Sequence, residues 1–516
     1  MHIDFIPGAH LDGGDWAIEC GDEVVTWSQA VDQITRLGNV LLAECQGGRI
    51  AVVGDNSAPT ILAHAACITT GISSVGVNPR LRADELAHIL RDADVRLCVV
   101  APGAWAEASA AASGLGIRVL SWPGRTDYGD LHWDDAVAQA SPSWTAAAGI
   151  PHRPVLYTSG TSGFPRGTEV QWTAEIGATV DEHLAHLRAS LASVPAGPHL
   201  VVGPLYHNGP MMGVRAILDG RPTVVLPRFD AEAMLQAVDQ RGIATTVCVP
   251  THLSRLLGLD PAIRGRYDVT SMRSIRLTGA ACPVPVKAGI LAWFGPIVTE
   301  TYGGTECHVV CSITAEESLL KPGSVGRAVQ RYRVLVVDDA GDEVAAGVSG
   351  RLFFIDSLGR GVHFLNAPEK DAEVHLRPGV FTVGDIGFVD ADGYVFLNDR
   401  SVDMVISGGV NIYPAECERV LHEHPALADF AAVGLPDADM GERLVGVAVL
   451  RPGASVSPEE LDAWCREHLA SYKCPKEYRF MSTTGRNAVG KVSKRVLREA
   501  LLSDAPETAL AAAAGR

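Results

Sequence analysis

The chain has 516 residues, 47% hydrophobic and 20% charged, an ordinary globular composition whose length calls for more than one hydrophobic core. Its formal charge of −17, from 60 acidic and 43 basic residues with no long run of either sign, excludes a general nucleic-acid binder. No stretch of about 18 apolar residues occurs, which excludes a membrane-spanning helix.

The N-terminus has no basic start followed by an apolar core, so no secretory leader and a cytoplasmic location are expected. From there to about Val329, apolar strand-like runs alternate with helical patterns, which predicts an α/β architecture of mainly parallel sheets. The runs are Arg49–Val53, Val95–Val100, Leu200–Gly203, Thr245–Val249, Ser274–Leu277 and Pro296–Val298. Several end in Gly-, Thr- or Pro-rich loops, where ligands of open α/β sheets gather. The 11 cysteines are scattered singly, and Cys307 and Cys311 lack the two further ligands of a structural zinc site, so buried reduced thiols are expected.

The most informative loop is Tyr157–Thr168, YTSGTSGFPRGT, which follows an apolar strand end. Its glycines let the backbone approach a ligand, its hydroxyls and amides suit phosphate oxygens, and Arg166 adds fixed charge. No Lys-Ser/Thr pair closes it, so it is not a GxxxxGK[ST] phosphate loop. Pro204–Pro210, PLYHNGP, follows another strand; taken alone, His207 there reads as a core histidine. Leu277–Cys282, LTGAAC, has small residues against which a flat ligand can lie. In Thr299–Glu306, TETYGGTE, Tyr302 can stack on a base and Glu306 is a hard oxygen ligand suited to magnesium.

From Tyr332 the pattern changes to hairpins, with Asp392-Gly393 as a turn, which predicts an antiparallel, barrel-like subdomain. Gly384-Asp385 puts a carboxylate at a strand end, a good acceptor for ribose hydroxyls. The short polar stretch Asn398–Asp403 precedes a new unit: a strand over Met404–Ser407, a Gly408-Gly409 break and a helix opened by Pro414. His422-Glu423-His424 reads as a solvated helix end rather than a metal pair. A second helix starts with the capping box Ser457…Glu460, and the last begins near Val492, with the Ala-rich tail Ala509–Arg516 expected to fray. Lys491 in NAVGKVSK would, taken alone, be a surface lysine.

In this order the motifs resemble the adenylate-forming superfamily of acyl-CoA synthetases, luciferases and carrier-protein adenylation domains. YTSGTSGFPRGT is similar to its TSGTTGxPKG signature, TETYGGTE to its YGxTE motif, and FTVGDIGFVDADGYVFLNDR to its ribose-binding hairpin. SVDMVISGGVNIYPAE resembles the start of its small domain and NAVGKVSKRVLR its C-terminal lysine motif; VNPRLRADELAHIL also fits.

The resemblance implies an N-terminal domain over 1–399, a hinge at 400–403 and a small mobile α+β domain over 404–516. It implies a cytosolic ligase, in the branch acting on fatty, aromatic or polycyclic acids, that joins a carboxylic acid to coenzyme A through an acyl-adenylate. ATP, Mg²⁺ and coenzyme A are the implied cofactors. Thr158, Ser159, Gly160, Thr161, Ser162, Gly163 and Arg166 would hold the β- and γ-phosphates, with Thr158 beside the metal. Gly279, Ala280, Tyr302 and Gly303 would enclose adenine, Asp385 would take the ribose, and Arg400 the ribose–phosphate region. Thr305 would contact the α-phosphate, Glu306 would bind magnesium, Lys491 would bridge the carboxylate and the α-phosphate during adenylation and then leave as the small domain turns, and His207 would be a further catalytic residue. Gly409 would line the pantetheine tunnel, and Lys473 and Lys476 would meet the nucleotide of coenzyme A.

Three departures from the family pattern stand out: Arg166 in a lysine position, Val402 two residues after Arg400, and STTGRNAVGK without a proline before its arginine. They leave open a half-ligase fed a ready-made adenylate by a partner enzyme; loading of a carrier protein's pantetheine arm is a separate alternative within the family. A nucleotide-binding pseudoenzyme is the alternative from another class, and a homodimer is left open.

Overall fold

The computed structural model describes residues 15–45, 47–147, 152–158, 166–169, 177–280, 282–338, 340–400, 403–407, 410–437, 440–469, 471–487, 490–503 and 505–514. Three sheets carry the described residues. One has six strands in the order Arg118–Leu120, Val95–Val100, Arg49–Val53, Ser74–Val77, Val155–Thr158 and Arg166–Thr168, parallel except for the final hairpin. The second has 15 strands and includes the parallel run His199–Val201, Thr245–Cys248, Ser274–Leu277 and Val298–Gly304.

These two sheets share a core. The helix Ala58–Thr70, APTILAHAACITT, has no polar face, and every one of its residues is buried. A helix apolar all round must be covered all round. It packs with Ile50 and Val52 of the first sheet and Ile18, Val201 and Val225 of the second. The backbone of Thr60 donates to the Ser57 hydroxyl at its start, and Gly71, at φ 80°, ends it. His64 inside it meets Ser74 Oγ at 2.8 Å, and burial holds its ring down to about 4, so it is neutral at pH 7.

The strand predicted to stop at Val298 runs on to Gly304 and pairs antiparallel with His308–Ile313. TETYGG is therefore strand, and the turn is compressed into Thr305–Cys307. The hairpin strands Asp385–Val389 and Val395–Arg400 continue the same sheet through Ser324–Ala328. Gly393, at φ 84°, makes their turn as the Asp-Gly pair predicted.

The C-terminal domain has its own five-stranded sheet, built around the long pair Leu427–Asp437 and Gly441–Leu450. Pro414 opens the helix Pro414–Leu421, and the Ser457–Glu460 capping box starts Pro458–His468, both as predicted. The tail differs from expectation: Pro506–Ala514 is a helix, and Leu510 is fully buried against Gly485. An alanine run with one well-placed leucine keeps helical propensity and gains a docking contact. Among the described residues no helix is long and apolar enough to cross a membrane. All 11 cysteines are free thiols.

One ionic cluster ties this domain's lysine-bearing segment to its sheet. Arg486 grips both Asp429 oxygens at 2.8 and 2.7 Å, Thr484 donates to Asp429 at 2.5 Å, and His422 lies 3.3 Å away. Burial alone would raise the Asp429 carboxyl, but hydrogen bonds from His422 and Arg486 outweigh it and hold it well below the carboxylate range. A depressed carboxyl gives stability above its unfolded value near ~3.9 and loses it as pH falls through the folded value. Asp429→Asn should cost on the order of 3 kcal/mol at pH 7 and flatten the acid limb of a denaturant-melt series. An unchanged acid limb would assign the acid sensitivity to other groups.

Candidate active site

Parallel strands of the large sheet end side by side, and their following loops carry the sequence motifs. His199–Val201 leads to PLYHNGP, Ser274–Leu277 to LTGAAC, and Val298–Gly304 contains TETYGG. This is the strand-end position where open α/β sheets bind ligands.

Tyr302 and Asp385, 83 residues apart, meet here: the phenol donates to the carboxylate at 2.5 Å. Burial, then the Asp385 charge, raises the Tyr302 phenol, so it stays a donor. Gly303 is required by its surroundings. A Cβ there would lie 1.7 Å from the His308 carbonyl oxygen, at a register shift between the two strands. Gly279 has φ 93°, a left-handed turn just past the strand end at Leu277. Glu306 folds back over the strand terminus, where a Cβ on Gly304 would come within 2.6 Å of its carboxylate. Beside it the Cys307 thiol is raised far above its usual range by burial and by the Glu306 charge, so it is not a nucleophile.

His207 packs at 4.6 Å against the Tyr206 ring. Burial, then the positive charge of Lys491, lowers it to about 4, so it is neutral at pH 7. That coupling places Lys491, from the other domain, within electrostatic reach of the strand-end loops. The turn before it docks closely: a Cβ on Gly490, at φ 74°, would sit 2.4 Å from Thr251 Oγ1 of the large domain. Lys491 itself is backed by Asn487, whose Oδ1 accepts its backbone N–H at 2.9 Å. Between the domains lies a cleft of about 690 Å³, with Arg80, Arg228 and Arg255 on one side and Arg486 and Asn487 on the other.

Other expected residues fall differently. Thr158 and Arg166 pair across the hairpin that flanks the glycine loop, while Ser159, Gly160, Thr161, Ser162 and Gly163 lie outside the described residues, as do Val402 and Gly409. Arg400 pairs with Asp385 across adjacent strands, and its side chain is also outside them. Thr305 lines a second cavity described below. Lys473 is bound to Glu416 at 2.5 Å and Lys476 is exposed; neither lines the interdomain cleft.

Sequence reasoning missed Asn56. It is buried, donates to Gly203 and Leu226 carbonyls at 2.9 and 3.0 Å, and accepts from the Leu205 amide at 2.8 Å. It thus fixes the loop that presents His207, from a position 147 residues away from Gly203 that no local pattern marks. Asn56→Ala would leave three buried backbone groups unpaired, each worth about 1–3 kcal/mol. A melting temperature lowered by several degrees, with a loosened His207 loop and roughly tenfold slower turnover, is expected from thermal melts and kinetics. A full-speed, equally stable variant would remove Asn56 from this role.

The second cavity, of about 270 Å³, is lined by Thr305, Asn208, Met211, Arg215, His183, Arg153 and Arg331 among others. None of these arginines carried a motif. The one available signal was Arg215 itself, alone in the otherwise apolar helix MGVRAIL.

Strand-end loops converge under a second, docked domain, an α/β arrangement with a cleft between two domains. The chain belongs to the AMP-binding enzyme family, whose profile matches residues 9–357, followed by the AMP-binding enzyme C-terminal domain over residues 416–491. It is an adenylate-forming ligase of the AMP-forming acid–thiol class. It is 29% identical over 510 residues to the indoleacetate–CoA ligase of Aromatoleum aromaticum, covering 95% of this chain and 96% of that protein. It is 30% identical over 503 residues to the fatty acid–[acyl-carrier-protein] ligase ScoC of Streptomyces coeruleorubidus, covering 95% and 94%. ATP-bound MatB from Rhodopseudomonas palustris superposes with a TM-score of 0.80 at 27% identity, covering 95% of this chain and 96% of that one.

Proposed function

We propose that the protein is an ATP-dependent acyl-CoA ligase. In the first step a carboxylate oxygen of the acid bonds to the α-phosphorus of ATP, the bond from that phosphorus to the bridging oxygen breaks, and pyrophosphate leaves. In the second, the coenzyme A sulfur bonds to the acyl carbon, the carbon–oxygen bond to AMP breaks, and the thiol proton passes to solvent.

The observation that carries the proposal is the docked Lys491 turn. Its charge is felt at His207, beside the loops bearing Tyr302, Asp385 and Glu306. Negative charge grows on the α-phosphate during the first step, and a fixed cation and donors are what that step needs. Tyr302 and Gly279 suit an adenine lying flat, Asp385 the ribose, and the Thr158–Arg166 loop the terminal phosphates. Neutral His207 presents an uncharged ring to the incoming carboxylate.

Magnesium fits Glu306. Among the described residues no three His, Cys, Asp or Glu side chains cluster as a dedicated metal cage. A single carboxylate completed by phosphate oxygens and water is the usual magnesium arrangement. Glu306, with Thr158, would hold it, and it would neutralise phosphate charge.

The same lysine is needed only in the first step, so the C-terminal domain should turn about 400–403 between the steps. The arginines of the 690 Å³ cleft support an anionic acceptor, which favours coenzyme A over a bare thiol. The deciding experiment incubates protein, ATP and Mg²⁺ with a panel of acids, with and without coenzyme A. Pyrophosphate and AMP release with acyl-CoA formation is the expected result; adenylate that is transferred only to carrier protein would refute the acceptor.

A further inference from the structure

The 270 Å³ cavity beside Thr305 has one wall whose chemistry an ordinary acyl chain does not use. Its lining includes Thr305, Asn208, Met211 and Val309. The same lining holds Arg153, Arg215 and Arg331, and Arg360 lies within electrostatic reach of Arg153. The cations sense one another: burial first, then Arg215, Arg360 and Arg331, pull Arg153 down to about 9. Burial and the same arginines hold His183 and His308 neutral, so both rings serve as uncharged hydrogen-bonding groups.

Asp356, fully buried, takes Arg331 at 2.9 and 2.5 Å and lies 3.7 Å from Arg360, and it does not line the cavity. Arg215 has no ionic partner among the described residues, and the charge that acts on it is another cation, Arg276. A guanidinium withdrawn from water without a carboxylate is unfavourable, and a ligand carboxylate can relieve it bidentately.

The wall is also held in shape. Arg331 lies 4.9 Å over the Tyr332 ring, and the Tyr332 hydroxyl donates to the Cys307 carbonyl at 3.2 Å. His308 sits at φ 60°, unusual for a non-glycine residue, and its Nδ1 faces the Asn208 amide nitrogen at 3.2 Å. With the amide donating, the ring carries its proton on Nε2. The cavity is smaller than the roughly 300–1,000 Å³ of sites for drug-sized ligands, which favours a compact acid over a long chain.

We propose that the substrate is a compact dicarboxylic acid: the carboxylate near Thr305 reacts with ATP, and the distal carboxylate is held by Arg215, with Arg153 and Arg331 on the same wall. This rests on the ligase reading of the site. Each arginine contact is a binding contact remote from the reacting atoms, so it selects substrate without touching the chemistry.

The test uses α,ω-dicarboxylates of about four to eight carbons, and phthalate, each against the monocarboxylate of the same skeleton. Pyrophosphate release should favour the best dicarboxylate by at least ~10²-fold in kcat/KM, since a site built for a charged group rejects the analogue lacking it. Arg215→Met should reduce that preference on the order of 10²-fold with the KM for ATP within about twofold, and Arg215→Lys should restore part of it. Preference for monocarboxylates, or a ratio untouched by Arg215→Met, overturns the proposal. Should Arg215→Met fail to fold, the wild-type ratio decides alone. Pyrophosphate release with no acid at all is the failure of the ligase reading instead. Calorimetry of wild type with glutarate and a non-hydrolysable ATP analogue then decides this one: millimolar or tighter binding, absent with pentanoate, supports it, and equal or no binding overturns it.

Discussion

Lys491→Ala should slow adenylation on the order of 10²–10³-fold, the usual cost of losing one transition-state donor, while leaving conversion of a synthetic acyl-adenylate to thioester within a few-fold. The asymmetry follows from geometry. Lys491 reaches the strand-end loops only because the turn at Gly490 packs on Thr251, so its ammonium belongs to this one domain pose. Charge develops on the α-phosphate in the first step and not in the second, so only the first should suffer. Pyrophosphate release measures one half-reaction, and thioester formation from supplied adenylate measures the other. Equal losses in both would mean that Lys491 holds the domains together rather than serving the phosphate. Loss of the lysine should also lift the His207 titration, because its charge is one of the two causes that hold that ring near 4. An NMR titration of His207 in wild type and variant reads that independently of turnover.

The parts of this molecule legible in its sequence are those built from contiguous residues. Strand ends, the Gly393 turn, the Pro414 and Ser457 helix starts and the strand-end motifs all follow from local pattern. Local pattern also explains where reading stopped. Two glycines usually punctuate a loop, and the predicted run ends at Val298, yet the strand continues through TETYGG as the antiparallel partner His308–Ile313 demands. Glycine there answers a neighbour's carbonyl, not a bend. The alanine-rich tail carries no periodic apolar face, so the single leucine that docks it escaped notice.

Long-range chemistry was the least legible. Asn56 and the loop it anchors are 147 residues apart. Arg153, Arg215 and Arg331 come from a loop, a short helix and a strand approach, and each alone is unremarkable. Tyr302 and Asp385 could be named because each sits in its own motif; their direct bond could not, because register across 83 residues is a tertiary property.

Gly303 carries the second large effect. Gly303→Ala would place a Cβ 1.7 Å from the His308 carbonyl oxygen and 2.8 Å from its carbon, both backbone atoms that no rotamer change can move. Pairing at Gly303↔Val309 must therefore break, while Glu300↔Ile313, Thr301↔Ser312 and Tyr302↔Cys311 can persist. Damage is then confined to the end of the strand, next to Tyr302, Thr305 and Glu306. Global stability should fall modestly, within the ~1–3 kcal/mol of an overpacked site. Activity should fall far more, by at least ~10²-fold in kcat/KM for ATP, since misplacing catalytic groups by about 1 Å is worth that much. Circular dichroism melts and AMP calorimetry separate the two effects. A variant that melts near wild type yet binds AMP weakly and releases little pyrophosphate is the expected outcome. Retained ATP affinity and rate would mean that the nucleotide lies elsewhere than over Tyr302 and Gly303.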